Sequence, residues 1–273
     1  MSNVPTSMNL SSKTNTPNML PAKVKMRMTA IFIAVLGFYL FSSYKTDASF
    51  LELISGLGNM PLLLEEFFPP NLSLFSKIWP SLAETIQMAI IATTIAAMLC
   101  VPLSLLAANN IVTNKYLYNT VRFLLNLLRT IPDMVLAIVF VSLFGLGVLP
   151  GILALIVFSL GILAKLISET IESIDTNPLD AMRASGANSV QMISFSVVPQ
   201  VLPQFSSFVL YVFEINIRAS VVLGLVGAGG IGQVLNNQLS IRAYPNAMGI
   251  IIIIFILVII IEFISNKIRE AII

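Results

Sequence analysis

Histidine is absent from this 273-residue chain, and cysteine occurs once, at Cys100 in "AAMLCVPLSLL". A single cysteine cannot form an intramolecular disulfide, and without histidine no metal site of the Cys/His type can be assembled. Charge is scarce as well: charged residues make up 10% of the chain against 57% hydrophobic, with a mean hydropathy of +0.93. A water-soluble domain of this size could not cover so much apolar surface, so the chain is integral to a membrane. The net charge of +2 is too small to suggest nucleic acid as a partner. Also missing is any G-x-x-x-x-G-K-[ST] pattern, so ATP, if used, is hydrolysed by another polypeptide. Cys100 reads as a small packing residue.

One motif that is present points the wrong way. In "VGAGGIGQV", Gly227, Gly229 and Gly232 stand in the G-x-G-x-x-G order of a dinucleotide-binding turn. That turn needs a βαβ unit and an acidic residue about 20 positions further on. Here the next acidic residue is Glu262, and the stretch from Ala243 to Ile261 holds no charge after Arg242. The glycines therefore read as tight turns and close helix contacts, with a gate at the mouth of a pathway as the functional variant.

Apolar runs of about 20 residues mark helical spans, since lipid leaves no other way to satisfy an isolated segment's backbone. Six are expected, near 28–44, 82–107, 117–147, 151–168, 197–222 and 246–264. Ser81 and Glu84 are expected to open the second as a capping box, and Pro132 to interrupt the third. With an internal N-terminus, the cytoplasmic segments hold Lys13, Lys23, Lys25, Arg27, Lys115, Arg122, Lys165, Arg183, Lys267 and Arg269. The external ones hold only Lys45, Lys77 and Arg242, which places both termini in the cytosol. Residues 1–27 read as a flexible cytosolic tail, 28–80 as the first span with an external segment, and 81–273 as the transmembrane domain. A signal peptide is the weaker reading of the first span, because no A-x-A-like site follows it.

Residues 169–196 are the one long polar stretch on the cytoplasmic side. Asn177 is a candidate cap, Pro178 fits the first helical position, and Asp180 suits the first turn. Gly186 ends that helix; Asn188 or Ser189 caps the next, which continues through Pro199 into the membrane. In this order Asp180, Ala181, Gly186 and Pro199 match an E-A-A, then G, then L-P pattern. That pattern resembles the coupling loop of ABC importer permeases, with Asp180 in place of the usual glutamate and Met182 in place of the second alanine. "VLPQFSSFVLYVFEINIRAS" followed by "VVLGLVGAGGIG" is most similar to the phosphonate-type branch.

The resemblance covers about residues 82–265. It implies an all-α polytopic fold of the type I, methionine-permease-like kind, and a non-enzymatic subunit of the cytoplasmic membrane that imports a phosphonate or related oxyanion. It also implies cytosolic ATPase subunits, an external substrate-binding protein, a permease homodimer and no cofactor. Asp180, Ala181, Gly186 and Pro199 would form the ATPase dock. Other solutes such as methionine, and a different class such as a channel or membrane-embedded enzyme, remain open at this point.

Ionisable residues in spans are costly and mark functional positions. Glu214 and Arg218 stand four apart in acid-first order and are candidates for the translocation pathway. Counted along a span starting near Val197, they lie about 26 and 32 Å out, in the outer half or at the rim. Arg129 lies about 27 Å below the outer end of a continuous third span, at the inner interface, where it is expected to snorkel. Lys165 and Glu169 are expected on the same inner rim.

Overall fold

The computed structural model of the chain describes residues 21–46, 54, 56, 58 and 60–272. Most of the expected N-terminal tail, residues 1–20, lies outside the described residues, as does much of 47–59. The chain divides after Leu63 into two compact units. The first holds one long helix, α1 (Ala22–Lys45), with its large apolar side chains exposed. Its 24 residues give a length of about 36 Å, enough to cross a bilayer.

A short helix, α2 (Met60–Phe67), leads into the second unit, followed by a 3₁₀ turn at Leu72–Leu74. The long helices follow: α3 (Phe75–Leu106), α4 (Lys115–Thr130), α5 (Asp133–Phe144) and α6 (Val148–Glu172). Two short ones come next, α7 (Asn177–Ala184) and α8 (Ser189–Met192), then a π-helical turn at Ile193–Val197 that runs into α9 (Val198–Leu225). Finally α10 (Gly230–Ser240) and α11 (Tyr244–Ile272) close the unit. Among the described residues five helical stretches are long and apolar enough to cross a membrane, or six if α4 and α5 count as one bent span.

The centre is built on small residues. Ala89, Ala92, Ala96 and Cys100 recur at helical spacing along α3 and are buried. Opposite them α6 buries Gly151, Ala154, Gly161 and Ala164. Without a hydrophobic drive between helices in lipid, such residues let backbones approach closely enough for dispersion contacts to accumulate. Helix α9 completes this core, and a second apolar cluster joins Ile78 and Leu82 of α3 to Ile231, Leu235, Ile250 and Ile253.

Several sequence expectations need correction. The capping box at Ser81 and Glu84 does not form: α3 begins earlier, at Phe75, and carries Pro80 and Pro102 within it. The third span is not continuous; α4 and α5 meet at 86°. Proline explains the break, since it forces Ile131 into extended backbone (ψ 120°) and cannot itself continue the α4 hydrogen-bond ladder. A depth for Arg129 counted along one straight helix therefore does not hold. The fifth span does not end near 222, because α10 continues it beyond a glycine turn.

Candidate functional site

At one end of the bundle the polar segment between α6 and α9 forms two short helices. Thr176, not Asn177, occupies the cap position of α7, and it makes no side-chain cap. Instead the Asp175 carboxylate accepts from the Asn177 N–H at 3.0 Å. At its other end Gly186 adopts φ +79°, the Ala187 N–H donates to the Met182 carbonyl at 3.0 Å and the Gly186 N–H to that of Arg183 at 3.0 Å. This is a Schellman closure, which glycine enters without the usual Cβ penalty. No atom lies within 4 Å of where a Gly186 side chain would start, so backbone conformation, not obstruction, selects glycine here. Asn188 and Gln191 then cap α8 reciprocally.

Helix α7 is held to the bundle by Leu179, which is 1% exposed, and Ser196 of the π turn donates to the Pro178 carbonyl at 3.2 Å. Asp180, Ala181, Gly186 and Pro199 are exposed, as are the apolar Val190 and Phe195. Asp180 pairs with Arg183 at 3.1 Å, and Arg183 also reaches the Asn110 carbonyl at 3.3 Å. Nearby, Glu172 at the end of α6 accepts from Arg122 of α4 at 2.9 Å and from the Asn109 N–H at 3.0 Å. The helix pair thus rests on a charged frame that ties α3, α4 and α6 together.

Deeper in the bundle, Asn216 of α9 donates to Thr93 of α3 at 2.8 Å and accepts from Ser159 of α6 at 2.9 Å. All three are buried. Thr93 and Ser159 stand midway along their helices, which fixes Asn216 at mid-depth. Glu214 lies about 3 Å to one side of this level and Arg218 about 3 Å to the other, and α10 extends the stretch begun by α9 beyond the glycine turn. Glu214 and Arg218 form the expected ion pair. The structure adds a partner from α11, Arg269, whose Nη2 lies 3.8 Å from Glu214. Glu214 is buried, whereas the Arg218 side chain is half exposed.

The glycine-rich turn joins α9 to α10. Gly227, Gly229 and Gly230 have φ of +88°, +83° and +70°. A Cβ on Gly224 would lie 2.7 Å from Gly232 Cα, and one on Gly232 would fall on the Val221 carbonyl, so the two helices touch through these residues. The first amides of α10 are already satisfied: Gly230 N–H donates to Glu84 at 3.0 Å and Ile231 N–H to Thr85 at 2.8 Å. A carboxylate of α3 thus occupies the helix N-terminus where a nucleotide phosphate would sit in a dinucleotide fold. Glu84 escaped sequence reasoning as a partner, because its spacing from Ser81 imitates a local cap. Asn216, Thr93 and Ser159 were missed too; their only signal is a polar residue inside an apolar run. Arg129 and Lys165, both expected at the inner rim, line one cavity.

A helical bundle of membrane-crossing length, with a short helix pair on a charged frame at one end, defines a polytopic membrane protein. Residues 100–272 match the family described as binding-protein-dependent transport system inner membrane component, and the chain belongs to that family. Its members are permease subunits of ABC transporters, not themselves enzymes, and work with an ATPase and a substrate-binding protein. The phosphite transport system permease protein PtxC of Stutzerimonas stutzeri is 37% identical, over 80% of this chain and 79% of its own length. The phosphate-import permease protein PhnE of Mycolicibacterium smegmatis is 38% identical over 84% of this chain and 43% of its own length. An inward-facing structure of the MetNI methionine ABC transporter aligns with TM-score 0.63 and 24% identity, covering 72% of this chain and 96% of that one. That likeness concerns the fold, which is the type I importer permease fold.

Proposed function

We propose that the chain imports a phosphorus oxyanion of the phosphite, phosphonate or phosphate class, as one half of a permease homodimer. The observation that carries this reading is the identity of more than a third with phosphite and phosphate permeases over four-fifths of the chain or more. The ends are assigned by charge: the α7–α8 pair and both termini face the cytosol, and the α9–α10 turn lies on the external side.

In this reading Asp180, Ala181 and Gly186 on the exposed side of α7 receive the ATPase, with Val190 and Phe195 adding apolar contact and Pro199 marking the entry of α9 into the membrane. Closure of the ATPase pair moves α7 and α8, and the charged frame at Glu172 passes that motion to α3, α4 and α6 as a rigid-body switch. Arg218 lines the path and offers a fork of donors to the anion, while Glu214 orients it. The turn at Gly227, Gly229 and Gly232 supports the outer mouth, where close helix contact sets its width.

Uptake decides the matter. Cells producing the chain with the ATPase and binding protein of its own system should accumulate at least one of labelled phosphite, methylphosphonate and phosphate, and no labelled methionine. Accumulation of methionine alone would overturn the solute assignment.

A further inference from the structure

Between α4, α6 and α9 lies a cavity of about 330 Å³ that three helices line with one polar side chain each: Arg129, Lys165 and Tyr211. Its remaining walls are apolar, including Phe158, Ile162 and Ile215. Arg129 belongs to the last turn of α4, just before the break at Pro132. Gly161 of α6 faces its backbone: a Cβ there would stand 3.4 Å from the Arg129 amide nitrogen, an ordinary contact. The end of α4 that carries Arg129 thus packs beside α6, just before the break.

The charge balance of the cavity is uneven. Lys165 pairs with Glu169 at 2.8 Å, and Glu169 is half exposed at the edge. Among the described residues no carboxylate pairs with Arg129. Asp133, beyond the break, is turned to the Met134 N–H at 2.9 Å. Two cations and one carboxylate leave a net positive charge beside apolar walls, a cost within a span, and because Arg129 is exposed and Lys165 half-buried the site opens on one side. The two cations also repel one another. An oxyanion between them turns both costs into attraction, with a bidentate fork from Arg129, a point charge from Lys165 and a hydroxyl donor from Tyr211.

The cavity also lies in line with Arg218. Tyr211 and Arg218 are seven apart on α9, hence on one face and about 10 Å apart along the axis. Lys165 stands about 9 Å beyond Ser159 along α6, toward the α7–α8 end. Arg218 and the cavity therefore succeed each other in depth, from the mid-level of Asn216 toward the end that carries the helix pair.

We propose that this cavity is a binding site for a tetrahedral phosphorus oxyanion, held by Arg129, Lys165 and Tyr211 on the inner side of Arg218. The assignment rests on the solute reading above. A lipid phosphate has the same chemistry, and the solute is the ligand proposed here because Tyr211 of the cavity shares one face of α9 with Arg218.

The test uses the full chain purified in an uncharged detergent and titrated in turn with phosphite, phosphate and methylphosphonate, then with a short-chain phosphatidylglycerol. At least one free oxyanion should bind, with Arg129→Gln and Lys165→Gln each weakening it by about tenfold or more, as loss of a charge-assisted hydrogen bond implies. Arg129→Lys should recover part of the affinity, and Lys115→Gln, on the same helix outside the cavity, should leave it unchanged. Binding of phosphatidylglycerol alone would overturn the solute assignment and make this a lipid site. In cells of the complete system, the same two glutamine variants should raise the KM for uptake. Wild-type KM in both variants would overturn the site while leaving the proposed function standing. Absence of uptake by the wild-type chain would remove the function itself.

Discussion

Asn216 shows what a single side chain does in this bundle. Its amide closes hydrogen bonds to Thr93 and Ser159, so three helices are pinned at one level where apolar contacts alone would permit sliding. In a membrane such bonds contribute about 0.5–2 kcal/mol each. About half a turn to either side stand Glu214 and Arg218. Exchanging the two would place an arginine at position 214 beside Arg269, so the exchange would test repulsion as much as transport. Neutralising Arg218 is cleaner, because Glu214 keeps Arg269 as a cationic neighbour. Arg218→Gln is therefore expected to assemble normally and to lower oxyanion uptake by about tenfold, the loss of one charge-assisted contact. Arg218→Lys should keep the charge without the planar fork and fall between. Uptake by Arg218→Gln at the wild-type rate would show that Arg218 only pairs with Glu214 within α9 and does not serve the anion.

Among the elements, the α7–α8 pair was the most legible in the sequence. Pro178, Gly186 and Asn188 act at single positions through local backbone rules, and those rules do not depend on distant contacts. The cap at Asn177 failed because the helix begins one residue earlier than expected: Thr176 holds the cap position and Asn177, already helical, gives its own N–H to Asp175. The broken third span was half legible: Pro132 marked the place, but 86° is set by what the two halves pack against. Least legible were partners far apart in sequence, such as Glu84 with Gly230 or Asn216 with Thr93 and Ser159, since periodicity reports a face and not what it meets. The Gly186 turn gives an element-scale prediction. Because space around it is free and only φ is demanding, Gly186→Asn should retain coupled uptake, as asparagine tolerates left-handed backbone. Gly186→Val should cost about 1–2 kcal/mol in that turn and uncouple ATP hydrolysis from uptake while the protein still inserts. Equal coupling by the two variants would place the requirement elsewhere.

For the whole molecule, orientation decides whether the two cationic stations lead inward or outward. Helix α3 runs from the end bearing Lys77 toward the end bearing Lys115, Arg122 and Arg183. Helix α6 is aligned with α3 at Gly151 beside Met88 and at Ile171 beside Asn110, and it delivers the chain to the helix pair at the basic end. The excess of Lys and Arg at that end is the reason it is proposed to be the cytosolic one. Ser73 and Ser173 are exposed at opposite ends. Cysteine at each, in a Cys100→Ala background that removes only a buried small side chain, should divide labelling by an impermeant thiol reagent. The position 73 variant should react in intact cells, and the position 173 variant only after the membrane is opened. Reversal of the two would turn the basic end outward, away from any cytosolic ATPase, and the route from Arg218 to the Arg129 cavity would then lead out of the cell. Reaction of both in intact cells would break the odd number of crossings, by α3, the bent α4–α5 pair and α6, that separates those positions.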